Sequence, residues 1–156
     1  MAQDPEARLR ELGYELPAVP EPGGAYVPAT RAGTLIFTAG QVPIERGELH
    51  HTGKVGDAVS LEEAKQAARI CALNALAAAA AEAEGLNNIR RIVKVIGFVA
   101  SAPDFNDQPQ AINGASELIG EVFGEAGLHA RSAVGVAELP LDAPVEVELV
   151  AELGDS

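Results

Sequence analysis

The hydrophobic and polar positions near the C-terminus alternate as they do in a strand with two different faces. Val145, Val147 and Leu149 alternate with Glu146 and Glu148. This period of two predicts a strand that places its apolar side chains on one face of a sheet. Both carboxylates are therefore expected on the other face.

The segment before it, 131–137, is predicted as a second strand, joined to the last one through a Leu-Pro turn. Ala133, Gly135 and Ala137 share one face of this strand, so another group can approach the backbone there. Arg131 opens the strand. An arginine at a strand entrance and a carboxylate on the following strand can bind an anionic substrate and transfer a proton beside it. The alternative is that both are ordinary solvated surface groups.

Apolar runs predict the rest of the sheet. Residues 26–30 and 34–39 are predicted as a hairpin around Ala32 and Gly33, and residues 92–100 as a central strand with two apolar faces. One face of the central strand is expected to carry Ile92, Ile96 and Phe98, and the other Val93, Val95 and Val99.

Helix signals occur in two long segments. Ser60 followed by Glu63 is a capping box, which predicts a helix that runs to Glu84 and ends at Gly85. A second helix is predicted over about 110–123, and a short one over 5–12. Two long helices cover only one face of a small sheet, whereas several strands are apolar on both. The uncovered face is therefore expected to be buried against copies of the same chain.

Composition and charge narrow the class of protein. The chain has 156 residues, 47% of them hydrophobic, and a formal net charge of −12. This length predicts one domain, here 24–156, preceded by an N-terminal arm at 1–23. Nucleic-acid binding is disfavoured because it depends on clustered Lys and Arg. Neither a membrane-spanning run nor a signal pattern is found, so a cytoplasmic location is expected.

Few residues point to metal or thiol chemistry. Cys71 is the only cysteine and is flanked by alanines at helical spacing, so it is predicted to be a buried structural thiol. His50 and His51 lie in a polar loop, are expected to be exposed, and lack a matching set of metal ligands. His129 is interpreted as a loop residue. The sequence predicts no metal and no organic cofactor.

Four dispersed motifs together indicate a family. They are GlyAlaTyrVal at 24–27, PheThrAlaGlyGlnValPro at 37–43, LysValIleGlyPheValAlaSerAlaProAspPhe at 94–105, and the segment from Arg131 to Glu148. In this order, over about 24–152, the chain resembles the RidA or YjgF-like family of enamine and imine deaminases. The resemblance implies an α+β, chorismate-mutase-like single domain with a mixed sheet and two helices packed on one face. It also implies a homotrimer with a central barrel and ligand clefts between subunits.

The resemblance also implies roles for individual residues. Arg131 matches the arginine that binds the substrate carboxylate. Glu146 matches the glutamate that positions or activates the hydrolytic water, with Glu148 as its competitor. The remaining substrate-binding positions implied by the family are Tyr26, Gly40, Phe98 and Asn113. Each has an ordinary alternative: Gly40 as a turn glycine, Phe98 as core packing, and the carboxylates as sheet-edge groups.

The implied reaction is hydrolysis of reactive 2-enamine or 2-imine acids to 2-keto acids and ammonia. One alternative is a non-catalytic trimer that binds small carboxylate metabolites, and a third is an endoribonuclease, which the acidic charge disfavours. Ala133 stands where many family members carry cysteine, Gly135 where a larger polar residue is common, and Ala25 where proline is common. These departures indicate a divergent subgroup.

Overall fold

A computed structural model describes residues 4–155 of the chain. The α-helices of this part of the chain are α1 (Pro5–Glu11), α2 (Leu61–Ala83) and α3 (Gln108–Phe123). The strands are β1 (Ala29–Ala32), β2 (Leu35–Thr38), β3 (Ile44–Glu45), β4 (Glu48–Leu49), β5 (Ile89–Ala100), β6 (Ala130–Val136) and β7 (Val145–Leu153). The main sheet has five strands in the order β1-β2-β7-β5-β6, and β3 and β4 form a small separate hairpin.

The long strand β5 is the centre of the sheet. It pairs antiparallel with β7 on one side and parallel with β6 on the other, so the sheet is mixed, as expected. The parallel pair is possible because α3 and the turn after it carry the chain back to the start of β6. As a result β6 is an edge strand, and β7, which follows it in sequence, is not its neighbour.

The capping signals that predicted α2 are confirmed. The Ser60 hydroxyl accepts a hydrogen bond from the Glu63 N–H at 3.1 Å, and the Glu63 carboxylate accepts one from the Ser60 N–H at 3.1 Å. At the other end, Glu84 adopts a left-handed conformation with φ 59°, and Gly85 follows with φ 137°. Such a left-handed residue stops the helix by satisfying its last carbonyl groups.

Helices α2 and α3 cover one face of the sheet and approach each other closely. A Cβ atom added to Gly114 of α3 would lie 2.0 Å from the backbone carbonyl oxygen of Lys65 in α2. Glycine is therefore required where the two helices cross. The alanine-rich face of α2 is buried in the same layer, which allows the helix to approach the sheet closely.

Helix α1 confirms the short helix predicted at 5–12 and packs against the rest of the chain. Leu9 is 3% exposed and belongs to the hydrophobic core. The Glu6 carboxylate accepts a hydrogen bond from the Leu86 N–H at 3.1 Å, and the Arg8 Nε donates to the Glu121 carbonyl at 3.0 Å. Residues 17–24, after α1, have no regular secondary structure.

Two predictions about the strands are wrong. The faces of β5 are reversed beyond Ile92, because a β-bulge between Ile92 and Lys94 inserts one extra residue. Ile92 therefore faces the helices, while Ile96 and Phe98 lie on the opposite face. The first strand begins at Ala29 rather than at residue 26, so Tyr26 precedes the sheet.

The expectation that His50 and His51 are exposed is also wrong. Both are half-buried, and their rings contact edge to face with centroids 4.6 Å apart. The His51 Nδ1 lies 3.1 Å from the Glu63 carboxylate at the start of α2. The polar loop thus folds back on the helix terminus, which its composition does not indicate.

The sheet face opposite the helices carries apolar side chains that nothing in the protomer covers. Phe37 is 41% and Val134 46% exposed, and Ile96, Phe98 and Val150 are half-buried there. This is the uncovered second face that the strand pattern predicts. Within residues 4–155, no helix combines the length and apolarity that crossing a membrane requires.

Candidate functional site

Arg131 lies on the helix side of the edge strand β6. It pairs with Val95 of β5, which places its side chain beneath α3. Its Nη1 donates hydrogen bonds to the Asn113 Oδ1 at 2.7 Å and to the Ser116 Oγ at 3.2 Å. Within the described part of the chain, no hydrogen bond or ion pair engages its Nε or Nη2. The guanidinium is thus held by one edge, and its other edge is available to a carboxylate.

His129 extends this group of hydrogen bonds. Its Nε2 lies 2.9 Å from the Ser116 Oγ, and its Nδ1 lies 2.6 Å from the Gly127 carbonyl oxygen. We call Arg131, Asn113, Ser116 and His129 the arginine cluster. All four side chains are half-buried at the open edge of the sheet. The cluster therefore combines a fixed positive charge, a hydroxyl group and a titratable ring at one place.

Glu146 lies in a second group on the other side of the sheet. It pairs with Phe98, so both side chains are on the face opposite the helices. A Cβ atom added to Gly40 would be 2.6 Å from the Glu146 Oε2, so the backbone at Gly40 directly contacts the carboxylate. Tyr26, which is 53% exposed, accepts a hydrogen bond from the Gly23 N–H at 3.2 Å.

Glu146, Gly40 and Tyr26, but not Phe98, line a cavity of about 280 Å³. Its wall combines the segment after α1, the bend after β2 and the turn before β7, and it includes Tyr26, Gly40, Gln41, Leu141 and Glu146. We call this group the glutamate cluster. Tyr26, Gly40 and Glu146, which the family resemblance implies as site residues, are thus brought together around one cavity.

The environment of the two glutamates favours proton uptake. Burial raises the pKa of Glu146, and the neighbouring charge of Glu148 raises it further. Burial also raises the pKa of Glu148. A carboxylate with a raised pKa is a stronger base than an exposed one, which suits general base catalysis near neutral pH. Arg131 does not oppose the shift, because it lies on the other face.

The two clusters do not meet within one protomer. Arg131 pairs with Val95 and faces the helices, whereas Glu146 pairs with Phe98 and faces away from them. Strand β5 separates β6 from β7, so the two strands are about 10 Å apart. The hypothesis that an arginine and a following carboxylate act side by side is therefore not met inside one chain.

The face formed by Ala133 and Gly135 is filled by the chain itself. A Cβ atom added to Gly135 would be 2.8 Å from the Gln108 Nε2. That amide donates hydrogen bonds to the Ser101 hydroxyl at 3.2 Å and the Phe105 carbonyl at 2.8 Å. At Gly135 the group that approaches the backbone is therefore Gln108 at the start of α3.

Ser116 is the contact of Arg131 that the sequence analysis missed. It lies three residues after Asn113, on the same face of α3, so the helical spacing would have placed it beside Asn113. The short segment between α3 and β6 then brings His129 beside it. The signal in the sequence was a serine three residues after Asn113, the residue that the family resemblance implies as a ligand contact.

Metal and thiol chemistry gain no support from the described residues. Residues 4–155 contain no group of three or more His, Cys, Asp or Glu side chains that could hold a metal ion. Cys71 is fully buried, as predicted, and burial strongly raises the pKa of its thiol. It is therefore a structural residue rather than a nucleophile.

Comparison with known families identifies the chain. Residues 6–153 match the family described as "YjgF/chorismate_mutase-like, putative endoribonuclease". The chain belongs to this family, the RidA or YjgF-like proteins, and has its α+β fold with a mixed sheet. It is 41% identical to "Protein TCP17" of Trypanosoma cruzi over 96% of this chain and 94% of that protein.

Further relatives carry functional names. The chain is 32% identical to a 2-iminobutanoate/2-iminopropanoate deaminase of Salmonella typhimurium, over 82% of this chain and 87% of that protein. Among solved structures, it is similar to the protein Atu1372 of Agrobacterium tumefaciens, with 47% identity and a TM-score of 0.89, over 96% and 92% of the two chains. It also resembles Escherichia coli TdcF with bound serine, with 26% identity and a TM-score of 0.65, over 87% and 94%.

Proposed function

We propose that this protein hydrolyses reactive 2-enamine and 2-imine acids to 2-keto acids and ammonia. The observation that carries the proposal is the Arg131 guanidinium, held by Asn113 and Ser116 on one edge with its other edge available. A planar fork of this kind matches a carboxylate and fixes the acid group of a 2-imino acid. The deaminase named among the relatives supports the same class of substrate.

Glu146 is proposed as the base that activates the hydrolytic water. Its raised pKa and its position at a cavity wall suit this role. Attack of the water on the imine carbon gives a carbinolamine, which then loses ammonia to form the keto acid. Tyr26, Gly40 and Phe98 are proposed to line the substrate site, and Asn113 to orient Arg131. The reaction as proposed requires neither a metal nor an organic cofactor.

We further propose that the site is completed by a second copy of the chain in a homotrimer. The arginine cluster lies at the open edge of β6, and the glutamate cluster lies on the uncovered sheet face. The apolar side chains of that face, among them Phe37 and Val134, would be buried by self-association. An arginine cluster from one protomer and a glutamate cluster from its neighbour would then face one cleft.

The test is keto acid release from 2-aminoacrylate that a serine dehydratase generates in situ. We expect the wild-type protein to accelerate release and Arg131→Ala to lose the acceleration. Arg91→Ala is the matched control, because Arg91 pairs with Glu152 on the surface and lies outside both clusters. Equal rates with wild type and Arg131→Ala would contradict the proposal.

A second candidate is a trimer that binds small carboxylate metabolites without turning them over. It is favoured by the arginine cluster, which is complete in one protomer without Glu146. Binding of 2-oxobutanoate by a wild-type protein that releases no keto acid would support it. The endoribonuclease activity in the family description is disfavoured by the net charge of −12. RNA cleavage that Arg131→Ala abolishes would revive it.

A further inference from the structure

The hydrogen bonds of His129 define which of its nitrogen atoms carries a proton. A carbonyl oxygen can only accept, so the 2.6 Å contact with the Gly127 carbonyl requires a proton on Nδ1. In the neutral ring the Nε2 is therefore an acceptor. It lies 2.9 Å from the Ser116 Oγ, so the serine hydroxyl donates a hydrogen bond to the Nε2 of the neutral ring.

Arg131 fixes the other side of the same hydroxyl. Its Nη1 lies 3.2 Å from the Ser116 Oγ and can only donate, so the serine oxygen accepts from the guanidinium. When His129 is protonated, Nε2 also becomes a donor and the oxygen accepts two hydrogen bonds. The hydroxyl proton is then free to turn towards a third group, which is a molecule bound at Arg131.

We propose that Ser116 and His129 form a proton-delivery pair that supplies the leaving amine of the substrate. The inference rests on the proposed deaminase function and assigns the proton donor that this function leaves open. Ser116 is the catalytic residue because its hydroxyl would touch the amine. His129 acts through Ser116 and is a positioning residue. It gives the serine oxygen a new proton after the hydroxyl proton has moved to the amine.

The step balances without an added reagent. In the carbinolamine the C–N bond breaks, its electron pair moves to nitrogen, and nitrogen takes the Ser116 hydroxyl proton. The serine oxygen takes the Nε2 proton of His129. The histidine keeps its Nδ1 proton, which stays hydrogen-bonded to the Gly127 carbonyl. Glu146 first passes the proton that it took from the attacking water to solvent, and then accepts the proton of the carbinolamine hydroxyl as the carbonyl forms. Solvent afterwards restores Glu146 and His129. Water is consumed and ammonia is released, with no change in oxidation state.

Other charged groups surround the pair. Glu117, next to Ser116 on α3, is engaged by Lys65 of α2 at 3.8 Å, and Glu121 by Arg69 at 3.9 Å. The remaining charged groups on the elements around His129 are Glu125 in the turn after α3, Arg90, Arg91 and Lys94 on β5, and Arg131 on β6. The two helix carboxylates are engaged by cationic partners on α2. The acid–base group within hydrogen-bond distance of the Ser116 hydroxyl is His129.

The test compares pH profiles of keto acid release for wild type and His129→Gln. Glutamine can keep a hydrogen bond to Ser116 but does not titrate. At acid pH we expect the kcat of His129→Gln to be about 10²-fold below that of wild type, with KM unchanged. The ratio of wild type to variant should approach one as the pH rises. Titration of the substrate itself cancels in this ratio. His50→Gln is the control and should match wild type.

Variants of Ser116 separate chemistry from structure. Ser116→Ala should reduce kcat by a similar factor, and Ser116→Thr, which keeps the hydroxyl, should restore most of it. Thr52→Ala, at an exposed loop position outside both clusters, should have no effect. A ratio for His129→Gln that does not change with pH, or a change confined to KM, would overturn the pair while leaving the deaminase function intact.

A second readout does not depend on turnover. Nitrogen NMR of the His129 ring should show the Nδ1-protonated form when neutral. The nitrogen chemical shifts of the ring should change when 2-oxobutanoate is added to wild type. They should stay the same when it is added to Arg131→Ala. A ring protonated on Nε2, or one unaffected by bound carboxylate, would overturn the pair. A wild-type protein that binds 2-oxobutanoate with this response yet releases no keto acid would instead contradict the proposed deaminase function.

Discussion

The arginine cluster and the glutamate cluster differ in how they are built. In the first, two side chains of α3 accept hydrogen bonds from the Nη1 of Arg131, which lies on β6. In the second, Glu146 lies against the Gly40 backbone, with its pKa raised by burial and by Glu148. We propose that the first cluster binds an anion and that the second accepts a proton. A hydrolytic reaction on a carboxylate substrate needs both.

The largest expected effect separates binding from turnover. Arg131→Ala should abolish binding of 2-oxobutanoate, because the charge-assisted hydrogen bonds to its carboxylate are lost. Glu146→Gln should keep this binding but lower kcat about 10²-fold, since the base is removed. Calorimetry and steady-state kinetics on the same preparations measure both. If Glu146→Gln also loses binding, the division of roles between the clusters is wrong.

Stability should respond next, at the helix crossing that supports the arginine cluster. Gly114→Ala should destabilise the fold by roughly 1–3 kcal/mol, because the added methyl group collides with the Lys65 carbonyl. Gly120→Ala, in the same helix but with no heavy atom within 4 Å of the added Cβ, should stabilise by up to about 1 kcal/mol. Urea denaturation measures both. A neutral Gly114→Ala would show that the helices are less closely packed than described.

A smaller effect is expected from displacing the carboxylate alone. Gly40→Ala forces the Glu146 side chain to move, since the added Cβ would be 2.6 Å from its Oε2. We expect a reduction in kcat of about tenfold, with little loss of stability because the side chain is flexible. Gly120→Ala, in α3 and outside the cavity, with no heavy atom within 4 Å of the added Cβ, is the control. Equal activity of the two variants would remove Glu146 from the reaction.

The smallest effect is a pH dependence of stability. The folded-state pKa of Glu146 is raised, so its ionisation opposes folding at neutral pH and ceases to do so as pH falls below its unfolded value. Glu146→Gln should therefore raise Tm at about pH 7, and the difference should vanish below about pH 4. A variant that is less stable than wild type at neutral pH would indicate a charge partner for Glu146.

Local signals in the sequence predicted much of the fold. The Ser60 and Glu63 capping box and the terminator at Gly85 bound α2, and the alternation from Val145 onwards places both glutamates on one face of β7. These features depend on residues close together in the chain. The bulge after Ile92 escaped prediction because nothing in the apolar run marks the inserted residue.

The candidate site was harder to predict because its geometry is set by strand order. Asn113 was expected from the family resemblance, and the structure places it against Arg131. That Arg131 and Glu146 lie on opposite faces depends on β5 entering between β6 and β7, which local periodicity does not reveal. Ser116 and His129 come together through the turn after α3, and no local pattern in the sequence indicates this contact.

The central claim is that each site combines the arginine cluster of one protomer with the glutamate cluster of another. It is tested most directly with Arg131→Ala and Glu146→Gln subunits, each strongly impaired alone, which are co-expressed so that the mixed assemblies can be purified. In a trimer that contains both variants, about one third of the sites would combine two intact halves, whichever variant is present twice. We predict keto acid release at about that fraction of wild type. Mixed assemblies that stay inactive would contradict the account.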